Sequence, residues 1–381
     1  MGRRKGIWQV YVAALGVLVV SAGVLAAYLE SDRESGGEVE HTKRVAPIKI
    51  IRPRGRHVPE LASYLDRLAV RTPLVYRHLA VFPVVMRDGE YLRGRWLTMD
   101  AAIKRGMLIV TEKGGGGTVP VIYVENRSRK HHVFIMAGEV VSGGKQTRTI
   151  RQDVVLAPRQ KVDIGVYCVQ AGRWSGDADF AAGEVAVPQS IKKELRKGTS
   201  QGKVWAEVSR SNQSLGFSDS TDSMELSLKS KPVARKLREV RRRIVPEVPT
   251  GSVGFIFAYR GRAVGGEFFG TSDLALALLP KLVDSYAADL VLQHKGKRVP
   301  HTAVDIDVAR GFLRRIRRAG SRHTKTLGSG AGIQTRAAGL VGDGVSIRRA
   351  TVHYGCQVEE RIVPAVKPTP RNRQRGSGFL E

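Results

Sequence analysis

Cysteine is almost missing from this chain, with Cys168 and Cys356 the only two in 381 residues. So few exclude a disulfide scaffold and any cysteine-rich metal cluster. The nine histidines, including the pair His131–His132, show neither HExxH nor mixed Cys-His spacing, so no metal is expected. Acids are also scarce: 35 Asp and Glu stand against 63 Lys and Arg, a formal net charge of +28. Such a balance invites a nucleic-acid partner, because clustered cations displace counterions from phosphates. Yet aromatics make up only 6% of the chain, and no zinc finger, basic zipper or RNP-type aromatic pattern occurs. The densest cluster, Arg235 to Arg243, reads as the solvated face of an amphipathic helix. The expected partners are therefore anionic lipid headgroups, acidic polymers or an anionic small molecule rather than nucleic acid.

Phosphate-loop motifs fail in detail. Gly138 to Lys145 has two glycines before the lysine, but Gln146 stands where a Ser or Thr would hold magnesium. KGGGGT at 113–118 and GSGAG at 328–332 read as flexible turns. No cofactor is expected, and no internal repeat is detected.

One long hydrophobic run is present. Ile7 to Leu29 carries no charge over 23 residues, enough for a helix to cross the ~30 Å hydrocarbon core of a bilayer, with Trp8 and Tyr28 near its ends. Arg3, Arg4 and Lys5 precede it, whereas Glu30, Asp32, Glu34, Glu38 and Glu40 follow. The positive-inside rule then predicts a single-pass cell-membrane protein whose C-terminal bulk is extracytoplasmic. A cleaved signal peptide is the competing reading.

Residues 31–58 mix acid, base, Gly and Pro as a tether would, and Leu61, Leu65 and Leu68 suggest a short helix. Mostly strands are predicted from Leu74 to Val169, broken by a helix that Thr98 caps. Helices are predicted over Val187 to Arg210, then a Ser-rich loop over 211–230. Val233, Leu237, Val240 and Ile244 mark one face of another helix, and Val253 to Phe269 reads as a hairpin around Arg260-Gly261. A helix over Leu274 to Leu292 is expected to break or restart at Pro280, and one over Thr302 to Ala319 to be capped by Thr302. Val345 to Cys356 suggests a strand.

The least bland stretch is Gly138 to Trp174. Lys161 to Gln170 alternates, with Val162, Ile164, Val166 and Cys168 on one side, as in a half-buried strand. A second strand is predicted over Gln146 to Leu156, joined by a turn at Ala157 to Gln160. Paired strands would bring the glycine-rich loop carrying Glu139, Lys145 and Gln146 to the same end as the one carrying Gln170, Arg173 and Trp174. There Lys145, Arg148 and Arg173 are expected to hold a phosphate or carboxylate, since forked guanidinium groups suit such anions. Gln146 and Gln170 would orient the ligand, Trp174 would stack on it or pack in the core, and Glu139 would serve as acid, base or structural brace. Cys168 remains open between a core residue, half of a Cys168–Cys356 disulfide and a nucleophile activated by nearby arginine.

GEVVSGGKQTR followed by VYCVQAGRW resembles the signature of the ARG and rhodanese-phosphatase-superfamily-associated protein domain family. YRHLAVFPVV, TMDAAIKRGMLIVTE, VIYVENRS, SQGKVWAEV, VGFIFAYRGRAVGGEFFG and LPKLVDSYAADLVL extend the resemblance in order over residues 74–293. The family's name implies genomic association with ADP-ribosylglycohydrolases, hence a context of ADP-ribose or NAD chemistry, without a reaction to carry over. Where the family pattern places an acidic residue after Cys-Val, this chain has Gln170, which counts against a carboxylate acid or base there.

The sequence thus predicts an α+β protein: a β-sandwich-like N-terminal half followed by helices and a β-hairpin, with one N-terminal transmembrane helix. Its expected parts are an anchor over 1–30, a tether and short helix over 31–73, the family domain over 74–293, a C-terminal extension over 294–366 and a disordered tail over 367–381. The expected function is a membrane-anchored binding or hydrolytic site for an anionic, nucleotide-like or ADP-ribose-like ligand. The alternative is a non-catalytic interaction or structural module at the membrane surface.

Overall fold

The computed structural model describes residues 56–89, 92–114, 119–292, 304–337 and 339–359. The anchor expected over 1–30, most of the tether and the tail at 367–381 lie outside the described residues. Among the described residues, no helix is long and apolar enough to cross a membrane.

The described chain begins with α1 (Pro59–Asp66), β1 (Leu68–Val70), β2 (Leu74–Tyr76), β3 (Leu79–Met86), β4 (Trp96–Thr98) and α2 (Met99–Lys104). Eight strands follow: β5 (Leu108–Glu112), β6 (Val121–Asn126), β7 (His132–Ile135), β8 (Glu139–Gly143), β9 (Arg148–Ile150), β10 (Val154–Leu156), β11 (Lys161–Cys168) and β12 (Phe180–Ala186). Next come α3 (Gln189–Lys197), α4 (Gln201–Leu215), α5 (Met224–Lys229) and α6 (Lys231–Ile244). The hairpin β13 (Ser252–Tyr259) and β14 (Arg262–Phe269) leads to α7 (Ser272–Ala287) and α8 (Ile306–Ala319), and the last strands are β15 (Arg322–Thr324), β16 (Ala331–Ala337), β17 (Leu340–Ile347) and β18 (Ala350–Val358).

The fold is mixed α+β. A nine-stranded antiparallel sheet runs β1-β3-β13-β14-β18-β17-β16-β15, with β2 also on β3. Its middle is buried on both faces, which is why LAVFPVV and GFIFAY read as continuous apolar runs. Leu79, Val81, Phe255 and Phe257 face one core, where Phe257 stacks on Tyr286 of α7 at 3.7 Å. Ala80, Phe82, Val84 and Ile256 face the other, under Leu61 and Tyr64 of α1 and Phe312 and Ile316 of α8. A six-stranded sheet, β12-β8-β9-β11-β6-β5, and a three-stranded one, β10-β7-β4, share a third core that includes Val133, Ile135, Ile150 and Ile164.

Several local expectations are corrected. The strand expected over 146–156 is two strands in different sheets: β9 pairs with β11, whereas β10 pairs with β7. The loop expected over 211–230 is largely helical, because α4 runs to Leu215 and the Ser223 hydroxyl caps α5 by accepting from the Leu226 amide. Helix α7 runs through Pro280 without a restart. Asp305 caps α8, and Thr302 lies outside the described residues. Within the C-terminal extension expected over 294–366, residues 322–358 supply four strands to the central sheet, where β18 lies beside β14.

One buried carboxyl gives this fold a pH signature. Burial pushes Asp284 on α7 up to about 7, although Arg241 stands 3.0 Å away. A folded-state pKa raised above the unfolded one contributes stability that is full below about pH 4 and is lost as pH rises through about 7. Wild-type melting temperature should therefore fall between pH 5 and 8 in a scanning fluorimetry series. Asp284→Asn should remove that part of the slope; an unchanged slope would rule Asp284 out as its source.

Candidate functional site

The two glycine-rich loops do meet. Val169 donates to Thr147 O, Ser175 to Lys145 O, and the Thr147 amide and hydroxyl both contact Gln170 Oε1 at 3.3 and 3.1 Å. What they form is a polar knot in which Arg173 is occupied by protein acceptors, while Arg148 is buried with Nε and Nη2 lacking hydrogen-bond partners among the described residues. Arg173 donates from Nε to Gln170 Oε1 at 2.8 Å, from Nη1 to Gly144 O and Ser175 O, and from Nη2 to Gly143 O at 3.0 Å. Its fork is spent on fastening the loops together. Arg148 lies on strand β9, not on a loop, and is 0% exposed. Its Nη1 donates to Gln146 Oε1 at 2.7 Å, and Nη2 is 3.6 Å from Glu112 Oε1. Trp174, 49% exposed, lies with its ring 5.5 Å from the Arg148 guanidinium carbon. The Lys145 amide donates to Glu112 Oε1.

Glu139 belongs to strand β8 and is fully buried, away from the loops on which it was expected. Its Oε1 is 2.6 Å from Lys281 Nζ, which is also 2.7 Å from Asp100, while its Oε2 accepts from the Met136 amide. Burial pushes the Glu139 carboxyl up, although Lys281 opposes the shift. This is a brace between β8 and α7. Cys168 and Cys356 are free buried thiols, so the disulfide is not formed. Cys168 is on the Ile164 and Val166 side of β11, with Sγ donating to Gln170 O at 3.1 Å. Burial pushes the Cys356 thiol up to about 12.

A second constellation gathers residues that sequence reasoning did not single out. Antiparallel register sets Glu267 opposite Gly355, Gly355 opposite Asp343, Asp343 opposite Gln334 and Gln334 opposite Arg322. Directly opposed residues point to the same face, so one polar row crosses β14, β18, β17, β16 and β15. Gly355 leaves the space in this row that Arg196 occupies, since a methyl group there would overlap Arg196 Nη2 and Glu267 Oε2. Glu267 Oε1 is 2.8 Å from Lys192 Nζ and 3.2 Å from Arg196 Nη2, and Oε2 is 3.0 Å from His353 Nε2. His353 Nδ1 is 2.6 Å from Asp153 Oδ2, and Asp153 Oδ1 accepts from the Ala137 amide.

Burial alone would raise the Glu267 carboxyl, but Lys192 and Arg196 hold it well below the usual carboxylate range. Burial alone would lower His353, but Asp153 raises it, and both ring nitrogens face carboxylates, so the ring is an imidazolium donating to each. The cluster therefore sets Lys192, which burial lowers although Glu267 opposes the shift, together with Arg196 and His353 around the carboxyl groups of Glu267 and Asp153.

A cleft of about 420 Å³ opens beside this cluster, between the end of α3, the 151–153 turn and the outer strands of the sheet. Arg151, Arg196, Lys197, Arg322, Lys325 and Arg336 line it, with Asp153 and Asp343. Arg336 is a staple, donating to Thr335 O, Gly342 O, Asp343 Oδ1 and Arg196 O. Arg196 differs. It is 5% exposed, and its Nη1 has no hydrogen-bond partner among the described residues. A larger, shallower hollow of about 650 Å³ beside Pro83 and Pro249 has one cation, Arg71, against one carboxylate, Glu247, and no buried charge. Among the described residues, no group of His, Cys, Asp and Glu is placed to hold a metal ion.

Two sequence signals pointed weakly to the cluster: Glu267 interrupts an apolar strand, and Lys192 and Arg196 repeat at i,i+4 on the same helix face as Ile191 and Leu195. As for Arg173, its bonds to three loop carbonyls make it structural. Arg173→Ala should lower stability by about 1–3 kcal/mol in a urea melt. An unchanged midpoint would show that the carbonyl contacts contribute nothing.

No curated protein and no solved structure matches the chain. The family model matches residues 67–356, which include the loop knot, the buried cluster and nearly all of the central sheet. The chain belongs to the ARG and Rhodanese-Phosphatase-superfamily-associated Protein domain family.

Proposed function

We propose that this domain binds an anionic, phosphate-bearing small molecule of the nucleotide or ADP-ribose kind in the cleft beside Arg196. One observation carries the reading: Arg196, a residue of the cleft lining, is buried and its Nη1 has no hydrogen-bond partner among the described residues. An orphaned buried donor is costly, and a bound anion is the acceptor that would satisfy it. Arg151, Lys197, Arg322 and Lys325 add positive charge around the opening, and guanidinium forks suit phosphate oxygens. The expected ligand class is retained, while its position moves away from Arg148 and Arg173.

Hydrolysis is a second reading, favoured by the two carboxylates of the cleft. His353 lowers Asp153 against the effect of burial, whereas burial raises Asp343 despite Arg336 and Arg196. Carboxyls pushed in opposite directions in one site are suited to base and acid roles.

Calorimetric titration of the full chain with ADP-ribose, AMP and pyrophosphate should give saturable binding to at least one. Arg151→Ala and Arg322→Ala should each weaken it about tenfold or more, without lowering the melting temperature, since both side chains are exposed. No saturable binding, or affinity indifferent to both substitutions, would reject the site.

We also propose that residues 7–29 anchor the protein in the cell membrane with the domain outside, a reading supported by their uncharged length and flanking charges. An alkaline phosphatase fusion at the C-terminus should then be active in a bacterial host. An inactive enzyme fusion together with a bright cytoplasmic fluorescent one would reverse the orientation.

A further inference from the structure

Two hairpin tips lie side by side at one end of the central sheet. Strands β3 and β13 pair through Leu79 and Tyr259, and the Arg260 amide donates to His78 O at 3.0 Å, so the turn after β2 touches the turn after β13. Each tip has a residue with positive φ that is not glycine, and in both it is arginine: Arg77 at 55° and Arg260 at 51°. Left-handed backbone penalises a side chain at both places, and glycine would avoid the penalty. Strain kept where glycine would relieve it points to a use for the side chain.

Both arginines sit against the tyrosine that precedes them. The Arg77 guanidinium carbon is 5.3 Å from the Tyr76 ring and that of Arg260 is 5.2 Å from the Tyr259 ring. More cations surround them. Arg262 is exposed at the start of β14, and Arg242 and Arg243 are exposed on α6 near Glu239, which accepts from the Tyr76 hydroxyl at 2.5 Å and also senses Arg77. Arg77, Arg242, Arg243, Arg260 and Arg262 thus lie at this end of the sheet with the carboxylate of Glu239.

We propose that this end of the sheet, formed by the Arg77 and Arg260 tips and the C-terminal part of α6, docks on the phosphate headgroups of an anionic bilayer. Arginine and tyrosine together suit that interface: guanidinium pairs with lipid phosphate, while the phenol ring accepts a half-wet setting. Each arginine near an anionic leaflet adds roughly 1 kcal/mol of attraction, screened by salt. A sequence with 23 uncharged residues at 7–29 is suited to work beside a bilayer. This surface shares no residue with the Arg196 cleft, and it stands or falls separately.

The test is hydrogen–deuterium exchange on the full chain with vesicles of phosphatidylcholine alone or with phosphatidylglycerol added to about one third. Exchange at residues 76–79 and 259–262 should slow several-fold only with the anionic lipid, and 0.5 M salt, whose Debye length is under ~10 Å, should abolish the effect. The Arg77→Gly, Arg260→Gly protein should lose the protection while melting at or above the wild-type temperature, because glycine relieves the strain. Three results would overturn the proposal: equal protection by both vesicles, protection surviving in the double variant, or protection by a short DNA duplex but not by vesicles. A double variant that melts lower would show that the arginines serve packing instead.

Discussion

The central constraint of this structure is a carboxylate without water. Glu267 is fully buried, and burying an ion costs several kcal/mol unless nearby charges and hydrogen bonds compensate. Lys192 and Arg196 from α3 and His353 from β18 supply that compensation, and Asp153 fixes the far side of the imidazolium. One charge on β14 therefore sets where the first helix after the β-rich half can lie, how β18 enters the sheet and where the 151–153 turn must sit. Removing one member would strand the others in a low-dielectric interior, which ties these distant segments together more specifically than apolar contact does. The same geometry places Arg196 in the lining of the cleft.

Local features were readable because their causes are local. Thr98 accepts from the Ala101 amide at the start of α2 as its position implied, and Arg260-Gly261 turns the β13–β14 hairpin. Val233, Leu237, Val240 and Ile244 are the buried face of α6, with arginines outside. Misreadings arose where distant partners override composition. β-Branched residues on both sides of Arg151 to Asp153 suggested one strand, but Asp153 is held by His353, 200 positions away, and the chain changes sheets there. The serines of 211–230 suggested a loop, yet Ser211 and Ser227 are buried within helices and Ser223 caps one.

The loop residues expected to hold an anion were legible as neighbours, not as an open mouth. Lys145, Gln146, Arg148, Gln170 and Arg173 are indeed in one neighbourhood, because β9 pairs with β11. Sequence cannot show which acceptors a guanidinium finds, and here glycine carbonyls take Arg173 while burial takes Arg148. Glycine itself was an ambiguous signal. Around Gly143 and Gly144 it frees backbone for an arginine of the same knot, whereas Gly355, unremarkable in sequence, makes room for the arginine that reaches a cleft.

The polar row across the sheet sets where the proposed site lies. Opposite Glu267 on its inner side is Phe255, deep in a core under α7; outward come Gly355, Asp343, Gln334 and Arg322. Helix α3 ends at Gly198, in the left-handed conformation, so its cover stops partway along this row. Charges inside the limit are sealed and paired with one another, and those well outside are weakened by solvent. At the boundary, around Arg196, a largely buried positive charge lies beside an accessible cleft. Coulombic attraction for an arriving anion is greatest under those conditions, and antiparallel register has put residues from across the chain there.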